Sequence, residues 1–181
     1  ELTDAEWQML LRRCQSRSFT IVGDRAQARH GFVGTWEERL ARIGLTRDVR
    51  VAGLSINYRT PEEVMVEAAP VIRAVLPDAN VPTSVRSSGL PVRHGSVSEL
   101  DEVLDDWLAA HPEGIGCVIG HPTFRGRPRV RAATPELAKG LEFDLVVLVD
   151  PESFGDGVQG AVDRYVAMTR ATERLVVLTS D

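Results

Sequence analysis

Short apolar runs alternate along this chain with amphipathic stretches. The apolar runs have the length of buried strands and occupy residues 19–22, 51–56, 115–119, 130–132, 145–149 and 175–178, with a shorter one near 91–93. Helical spacing of apolar positions begins at residues 4 and 62 and also covers 35–43, 98–110 and 158–169. Because strands that alternate with helices pair in parallel, the pattern predicts an α/β fold with a mostly parallel sheet flanked by helices.

Three of these helices have clear start signals. Thr3 and Asp4 precede the first amphipathic run, and Ser98 precedes the run that ends near residue 110, as N-capping residues do. The sequence TPEE at 60–63 offers a cap, a proline at the first helical position and an acidic first turn. We therefore expect Thr60 and Ser98 to act as caps.

The organisation of the chain follows from the segments between these elements. Residues 77–95 are rich in Pro, Ser and Gly and predict a loop with one short strand. A boundary near residues 47–50 would separate a first piece, 1–48, from a compact α/β unit, 49–181. The chain starts with Glu1 directly on a helix signal, so we expect further sequence upstream.

Composition narrows the class of protein. Hydrophobic residues make up 43% and charged residues 26% of the chain, as in ordinary globular domains. No apolar run approaches the ~20 residues of a membrane span. Cys14 and Cys117 are far apart, and the four histidines lack metal-ligand spacing. We expect a cytoplasmic protein with no metal site of its own.

The charge balance limits the partners. The formal net charge is −5, whereas a free-standing DNA-binding domain usually carries a basic face. Of the 21 cationic residues, only Lys139 is a lysine, which we attribute to a GC-rich coding genome. That lysine nevertheless lies in the most motif-like stretch of the chain.

Four short segments at the ends of predicted elements carry polar groups. They are residues 22–27 (VGDRAQ), 56–60 (INYRT), 138–144 (AKGLEFD) and 165–171 (YVAMTRA). Ends of elements are where α/β sheets place ligand-binding groups. The segments offer an amide (Gln27), two guanidiniums (Arg59 and Arg170), a carboxylate (Glu142) and an aromatic ring (Tyr58).

This set of groups suits a nucleoside triphosphate. Guanidiniums can bind the charge that develops on a γ-phosphate, and an amide can orient the attacking water. A carboxylate can accept hydrogen bonds from ribose, and a ring can stack on a base. No Gly-rich GxxxxGK[ST] loop is present, so the other half of such a site would lie elsewhere.

Other interpretations of the same residues remain open. The arginines could be surface residues in ion pairs, and Gln27 could be an idle loop amide. Tyr58 could pack in the core, and Glu142 could lie in a solvated turn. Turn geometry, rather than ligand contact, is the better interpretation for residues such as Asn57 and Thr169.

At these segments the chain resembles the UvrD/Rep/PcrA superfamily I helicases. Their motifs III (GDxxQ), IV (NYR), V (KGLEF) and VI (VxxTRA) occur in the family's order, between residues 23 and 171. The resemblance implies a RecA-like second motor domain, preceded at residues 1–48 by the tail of the first. It also implies that ATP and Mg²⁺ bind in a longer parent protein, whose missing N-terminal motor domain carries the phosphate loop and the Mg²⁺-binding acidic segment.

The resemblance also assigns roles to individual residues. Gln27, Arg59 and Arg170 would contact the γ-phosphate and act in catalysis. The nucleotide would further be bound by Tyr58 on adenine, by Glu142 on ribose, and by Lys139 and Gly140. Phe32 would stack on a base of single-stranded nucleic acid, worth ~1–3 kcal/mol, unless it packs in the core or is merely exposed; Thr134 is a second, weaker candidate for that strand.

The chain departs from this family in two respects. Only 79 residues separate Arg59 from Lys139, which leaves no room for the family's large accessory domain. In motif V an acidic residue, Glu136, replaces a histidine that the family uses towards nucleic acid. In these two respects the chain is more similar to HelD, a helicase-like factor that acts on bacterial RNA polymerase. The expected partner is therefore single-stranded nucleic acid, RNA polymerase or both.

Four alternating arginines are a further candidate for nucleic-acid contact. They are Arg125, Arg127, Arg129 and Arg131. They could form a stripe that faces phosphates. The favoured interpretation is a solvated loop and strand edge, since Gly126 and Pro128 interrupt the run.

Overall fold

The main sheet holds five parallel strands. The computed structural model describes residues 2–29 and 34–180. The strands are β1 (Ile56–Asn57), β2 (Thr83–Ser84), β3 (Arg93–Ser96), β4 (Gly116–Ile119), β5 (Val130–Ala133), β6 (Phe143–Val149) and β7 (Ala171–Thr179). The order in the sheet is β3-β7-β6-β4-β5, and β1 and β2 form a separate parallel pair.

Helices cover both faces of this sheet. They are α1 (Asp4–Arg13), α2 (Trp36–Arg42), α3 (Glu62–Arg73), α4 (Leu100–Ala110), α5 (Pro135–Ala138) and α6 (Gly157–Met168). Three short 3-10 turns lie at Arg25–Gln27, Val97–Glu99 and Pro151–Phe154. No helix among the described residues is long and apolar enough to cross a membrane.

Alternation of side chains along the central strands explains the two-sided core. Val146 and Leu148 of β6 join a cluster with residues of α3 and α6. Leu145, Val147 and Val149 point the other way and pack with residues of α4. Strands buried on both faces are expected in a parallel sheet. The predicted fold class, a parallel sheet flanked by helices, is confirmed.

Helix positions largely follow the sequence signals, although two caps differ. Thr3 and Thr35 form capping boxes at α1 and α2. Ser96, not Ser98, caps the 3-10 turn that leads into α4. Thr60 does not cap α3: it is buried and its hydroxyl donates to the carbonyl of Thr169 at 3.3 Å.

Two predicted strands are wrong. Residues 19–22 form no strand, and Val22 is 88% exposed. Of the run 51–56, only Ile56 lies in a strand, the two-residue β1. A strand needs a neighbour for its N–H and C=O groups, and no strand among the described residues lies beside 19–22. Phe19 and Ile21 instead pack partly against the small cluster between α1 and α2.

The N-terminal segment at residues 24–29 is attached to the sheet unit. Ala26 is fully buried in the cluster that α6 shares. Arg25 forms an ion pair with Asp78 at 2.8 Å, and Arg29 forms one with Asp163 of α6 at 2.8 Å. The predicted boundary at 47–50 stays a prediction, with part of the first piece lying on α6.

Candidate functional site

Polar residues of the four segments gather at one edge of the sheet. Arg170 immediately precedes β7 and Glu142 immediately precedes β6, and the amide of Phe143 donates to the carbonyl of Arg170 at 3.0 Å. Arg59 reaches Glu142 from the segment after β1. Parallel sheets usually bind ligands at the carboxyl ends of their strands. This cluster lies at the amino ends of β6 and β7.

Arg170 is the most unusual member of the cluster. It is 2% exposed, although we expected it to face an open cleft. Its Nε donates to the carbonyl of Val166 at 3.0 Å, and Nη2 donates to the Thr169 hydroxyl at 3.3 Å. A longer contact of 3.5 Å joins Nη1 to the carbonyl of Leu141. No carboxylate of the described residues lies within ion-pair distance of this guanidinium.

The surroundings of Arg170 disfavour its charge. Burial lowers the pKa of Arg170, and the nearby Arg59 guanidinium lowers it further. Glu142, Tyr165 and Asp24 act in the opposite direction, but the pKa remains below its usual value. A buried cation without a paired anion is costly. The position is therefore suited to an anion that comes from outside the described chain.

Arg170 contacts the carbonyl of Leu141, and Arg59, which is more exposed, contacts the next residue, Glu142. Its Nη1 donates to Oε1 of Glu142 at 2.9 Å, with the two side chains 39% and 51% exposed. Its Nε is buried and has no hydrogen-bond partner in the described part of the chain. The backbone is fixed by Asn57, whose Oδ1 accepts from the amides of Arg59 at 2.9 Å and Thr60 at 3.1 Å. Asn57 thus has the turn role expected for it.

These contacts leave the pair of arginines with an excess of positive charge. Glu142 is the single carboxylate, among the described residues, that pairs with either guanidinium. Arg59 is close enough to Arg170 to lower its pKa. Two guanidiniums served by one carboxylate offer free N–H groups in the forked geometry that binds phosphate or carboxylate oxygens.

Tyr58 lies next to Arg59 in sequence and is 72% exposed. Core packing of this ring, one of the interpretations left open, is therefore wrong. Gly140 has a φ of +82°, in the left-handed region that favours glycine, and a side chain there would meet no atom within 4 Å. There is thus open space at Gly140, two residues before the half-exposed Glu142.

Gln27 is held in a compact turn. Its side-chain amide donates to Oδ2 of Asp24 at 2.7 Å, and Asp24 also accepts from the amide of Ala26. Nζ of Lys139 donates to the backbone carbonyl of Gln27 at 2.7 Å. Lys139 thus joins the first segment to the third.

Burial, followed by the nearby Asp24 carboxylate, raises the pKa of Tyr165 on α6 to about 12.

Sequence reasoning missed the link between Arg29 and Asp163. The Asp163 carboxylate is buried on α6, and Arg29 pairs with it at 2.8 Å and with Glu136 at 2.7 Å. An acidic residue between Val162 and the other core residues of α6 was the available signal. Because Arg29 pairs with Glu136, the negative charge of the Glu136 side chain is partly balanced.

The residues predicted to contact nucleic acid have other roles or fall outside the description. Phe32 lies outside the described residues. Thr134 caps α5, its hydroxyl accepting from the amide of Leu137 at 3.2 Å. These observations leave both assignments as predictions.

The run of four arginines does not form a uniform stripe. Arg127 pairs with Asp105 at 2.7 Å and with Asp101 at 3.4 Å. Arg129 donates to backbone carbonyls at the end of α4, including that of Leu108 at 3.1 Å. Two of the four cations are thus bound internally, and the interpretation as a phosphate-facing stripe is wrong for them. Arg131 remains exposed.

Comparison with known proteins gives matches among solved structures. No protein-family model matches the chain, and no curated protein is significantly similar to it. The C-terminal domain of a possible DNA helicase from Lactobacillus plantarum WCFS1 is 16% identical, with 68% of this chain and 88% of that chain covered and a TM-score of 0.48.

Viral helicases are among the other matches. Arterivirus nonstructural protein 10, a helicase solved with DNA, is 18% identical over 86% of this chain and 32% of that one, at a TM-score of 0.44. The PRRSV helicase is 19% identical over 75% and 25%, at a TM-score of 0.41. This chain thus spans less than a third of either viral protein. Similarity at these levels does not establish a function.

Proposed function

We propose that this chain is the C-terminal motor fragment of an ATP-dependent superfamily I helicase or translocase. In this proposal it contributes the arginines that bind the γ-phosphate. The observation that carries the proposal is the buried Arg170 guanidinium, which has no carboxylate partner among the described residues. It contacts Leu141, and Arg59 contacts the next residue, Glu142. Such an arrangement suits a ligand with concentrated negative charge.

The residues present fit a nucleotide on chemical grounds. Arg59 and Arg170 would hold the terminal phosphate, where fixed cations stabilise the charge of phosphoryl transfer. Tyr58 and Glu142 are exposed. In this proposal Tyr58 would stack on the base, and Glu142, which follows Lys139 and Gly140, would accept hydrogen bonds from ribose hydroxyls. Gln27 would orient water, for which it must leave its hydrogen bond to Asp24. Mg²⁺ and the phosphate loop would belong to the upstream part of the parent protein.

The first prediction is that the pure chain neither hydrolyses ATP nor binds Mg-ATP tightly. It contributes cations to the site but has no Gly-rich phosphate loop. Isothermal titration calorimetry and a phosphate-release assay would measure both properties, with the full-length parent protein as the positive control. Micromolar affinity or steady turnover by residues 1–181 alone would contradict the divided site.

A second candidate function is a HelD-like remodelling factor that binds RNA polymerase. The observation that favours it is the internal use of cations. Arg127 and Arg129 bind within the chain, and Arg29 is shared by Asp163 and Glu136. These arginines are therefore occupied by contacts within a chain whose net charge is −5.

The second prediction follows from this charge distribution. The chain should show no appreciable binding of single-stranded DNA at physiological salt, because non-specific binding depends on Lys/Arg–phosphate contacts and weakens as salt rises. Fluorescence anisotropy of a labelled oligonucleotide over a salt series measures this. Tight binding at 150 mM salt would show that exposed cations such as Arg125 and Arg131 suffice.

One experiment on the parent protein separates the two candidates. A pull-down from cell extract tests for RNA polymerase, and a strand-displacement assay tests for unwinding. Recovery of polymerase with poor unwinding would favour the remodelling factor. Robust unwinding with no polymerase in the pull-down would favour the helicase.

A further inference from the structure

The Arg59–Glu142 ion pair lies where the proposed ligand would bind. Nη1 of Arg59 donates to Oε1 of Glu142 at 2.9 Å. The same carboxylate also raises the pKa of Arg170, which burial lowers. A carboxylate and a phosphate oxygen use the same guanidinium donors. Glu142 therefore occupies donor capacity that a phosphate would need.

We propose that Glu142 is an internal substitute for the anion, which holds the arginine pair in the ligand-free chain and is displaced when a polyphosphate binds. This inference rests on the proposed function and adds a regulatory contact to the same site. Once displaced, the Glu142 carboxylate is free to accept from a sugar hydroxyl. One residue would thus serve the site in both states.

The exposure of Glu142 and Arg59 makes this exchange inexpensive. Glu142 is 51% and Arg59 is 39% exposed, and exposed ion pairs contribute little to stability. Arg170, in contrast, is buried and fixed by its bonds to Val166 and Thr169. In this exchange the exposed glutamate would move, whereas the buried arginine would keep its position.

The buried Nε of Arg59 agrees with this inference. It has no hydrogen-bond partner among the residues that the structure describes. A single carboxylate oxygen, Oε1, accepts from Nη1, so the pair uses only part of the donor fork. A phosphate with three terminal oxygens can accept from more of the fork. Because one carboxylate serves two guanidiniums, the charge of the pair favours a multiply charged ligand such as a polyphosphate over a monoanion.

The test measures binding of inorganic pyrophosphate to residues 1–181 by calorimetry at low salt. Glu142→Gln removes the competing charge and keeps the shape, so it should tighten binding by about threefold to tenfold. In the double variant Glu142→Gln/Arg59→Gln this gain should disappear. Acetate should bind weakly to every variant.

Glu152→Gln is the matched control. Glu152 is an exposed glutamate paired with Arg164 at 3.4 Å. It follows the carboxyl end of β6, whereas Glu142 precedes the amino end of the same strand. It changes the net charge by the same amount as Glu142→Gln, so it should leave the affinity for pyrophosphate unchanged. An equal gain in both variants would show a general charge effect and overturn the inference.

Two further outcomes would also overturn it. One is an affinity of Glu142→Gln that equals or falls below that of the unmodified chain. The other is the absence of binding in both proteins at millimolar pyrophosphate. Failure of the proposed function has a different signature: wild-type ATP turnover in a parent protein that lacks Arg59. The two results can be obtained independently.

Discussion

Arg59→Ala in the full-length parent protein is expected to reduce ATP turnover by about three orders of magnitude, the usual effect of losing an arginine finger. Arg59 is the better of the two arginines for this test. Its side chain is 39% exposed, whereas Arg170 is buried, so the substitution removes charge without opening the core. Initial rates of phosphate release at saturating ATP measure the effect.

A matched control separates loss of the site from loss of a surface charge. Arg125 is exposed, and its guanidinium donates to the carbonyl of Pro122 at 3.0 Å. Arg125→Ala should leave turnover within about twofold, because exposed cations outside a site contribute little. Wild-type turnover in Arg59→Ala would remove Arg59 from the site. Equal losses in both variants would point to general destabilisation.

The strand that the sequence predicts most clearly is one that the sheet buries on both faces. Residues 145–149 form a continuous apolar run, and all five are buried in β6. Residues 19–22 are also mostly apolar, yet no described strand pairs with them. Hydrophobicity indicates that a segment can be buried, but a strand also requires a partner for its backbone hydrogen bonds. The sequence alone does not identify that partner.

The candidate site shows a similar division. Arg59 and Glu142 were expected near one ligand, and Nη1 of Arg59 lies 2.9 Å from Oε1 of Glu142. The burial of Arg170 was not predicted, because it depends on how the end of α6 packs against the segment before β6. The Arg29–Asp163 pair joins residues 134 positions apart, a separation at which no periodicity gives a signal. Both features include a contact between residues that are distant in the sequence.

The burial of Arg170 implies a conflict between stability and function. The guanidinium loses hydration on burial, and the described chain returns three hydrogen bonds and no ion pair. Sites that bind charge often keep such groups at a cost in stability. If Arg170 served only the structure, removing it should destabilise the chain. If it is kept for a ligand, an apolar residue of similar length should stabilise the chain.

Arg170→Met is therefore expected to increase the free energy of unfolding by about 1–2 kcal/mol. The acceptor groups lose little, since the Val166 carbonyl also accepts from the Thr169 hydroxyl at 3.2 Å. That hydroxyl donates to the Tyr165 carbonyl as well, at 2.8 Å. For a chain of this size the gain corresponds to a rise in Tm of about 2–4 °C per kcal/mol. Urea denaturation followed by circular dichroism measures it.

Arg59→Met is the control for this experiment. Arg59 is partly hydrated, so removing its charge should change the free energy of unfolding by less than about 0.5 kcal/mol. In the parent protein, Arg59→Met and Arg170→Met should each abolish most ATP turnover. Stabilisation by Arg170→Met together with loss of turnover would assign the buried charge to the ligand. A loss of more than about 1 kcal/mol in Arg170→Met would instead assign Arg170 to the structure, because its hydrogen bonds would then outweigh the cost of burying the charge.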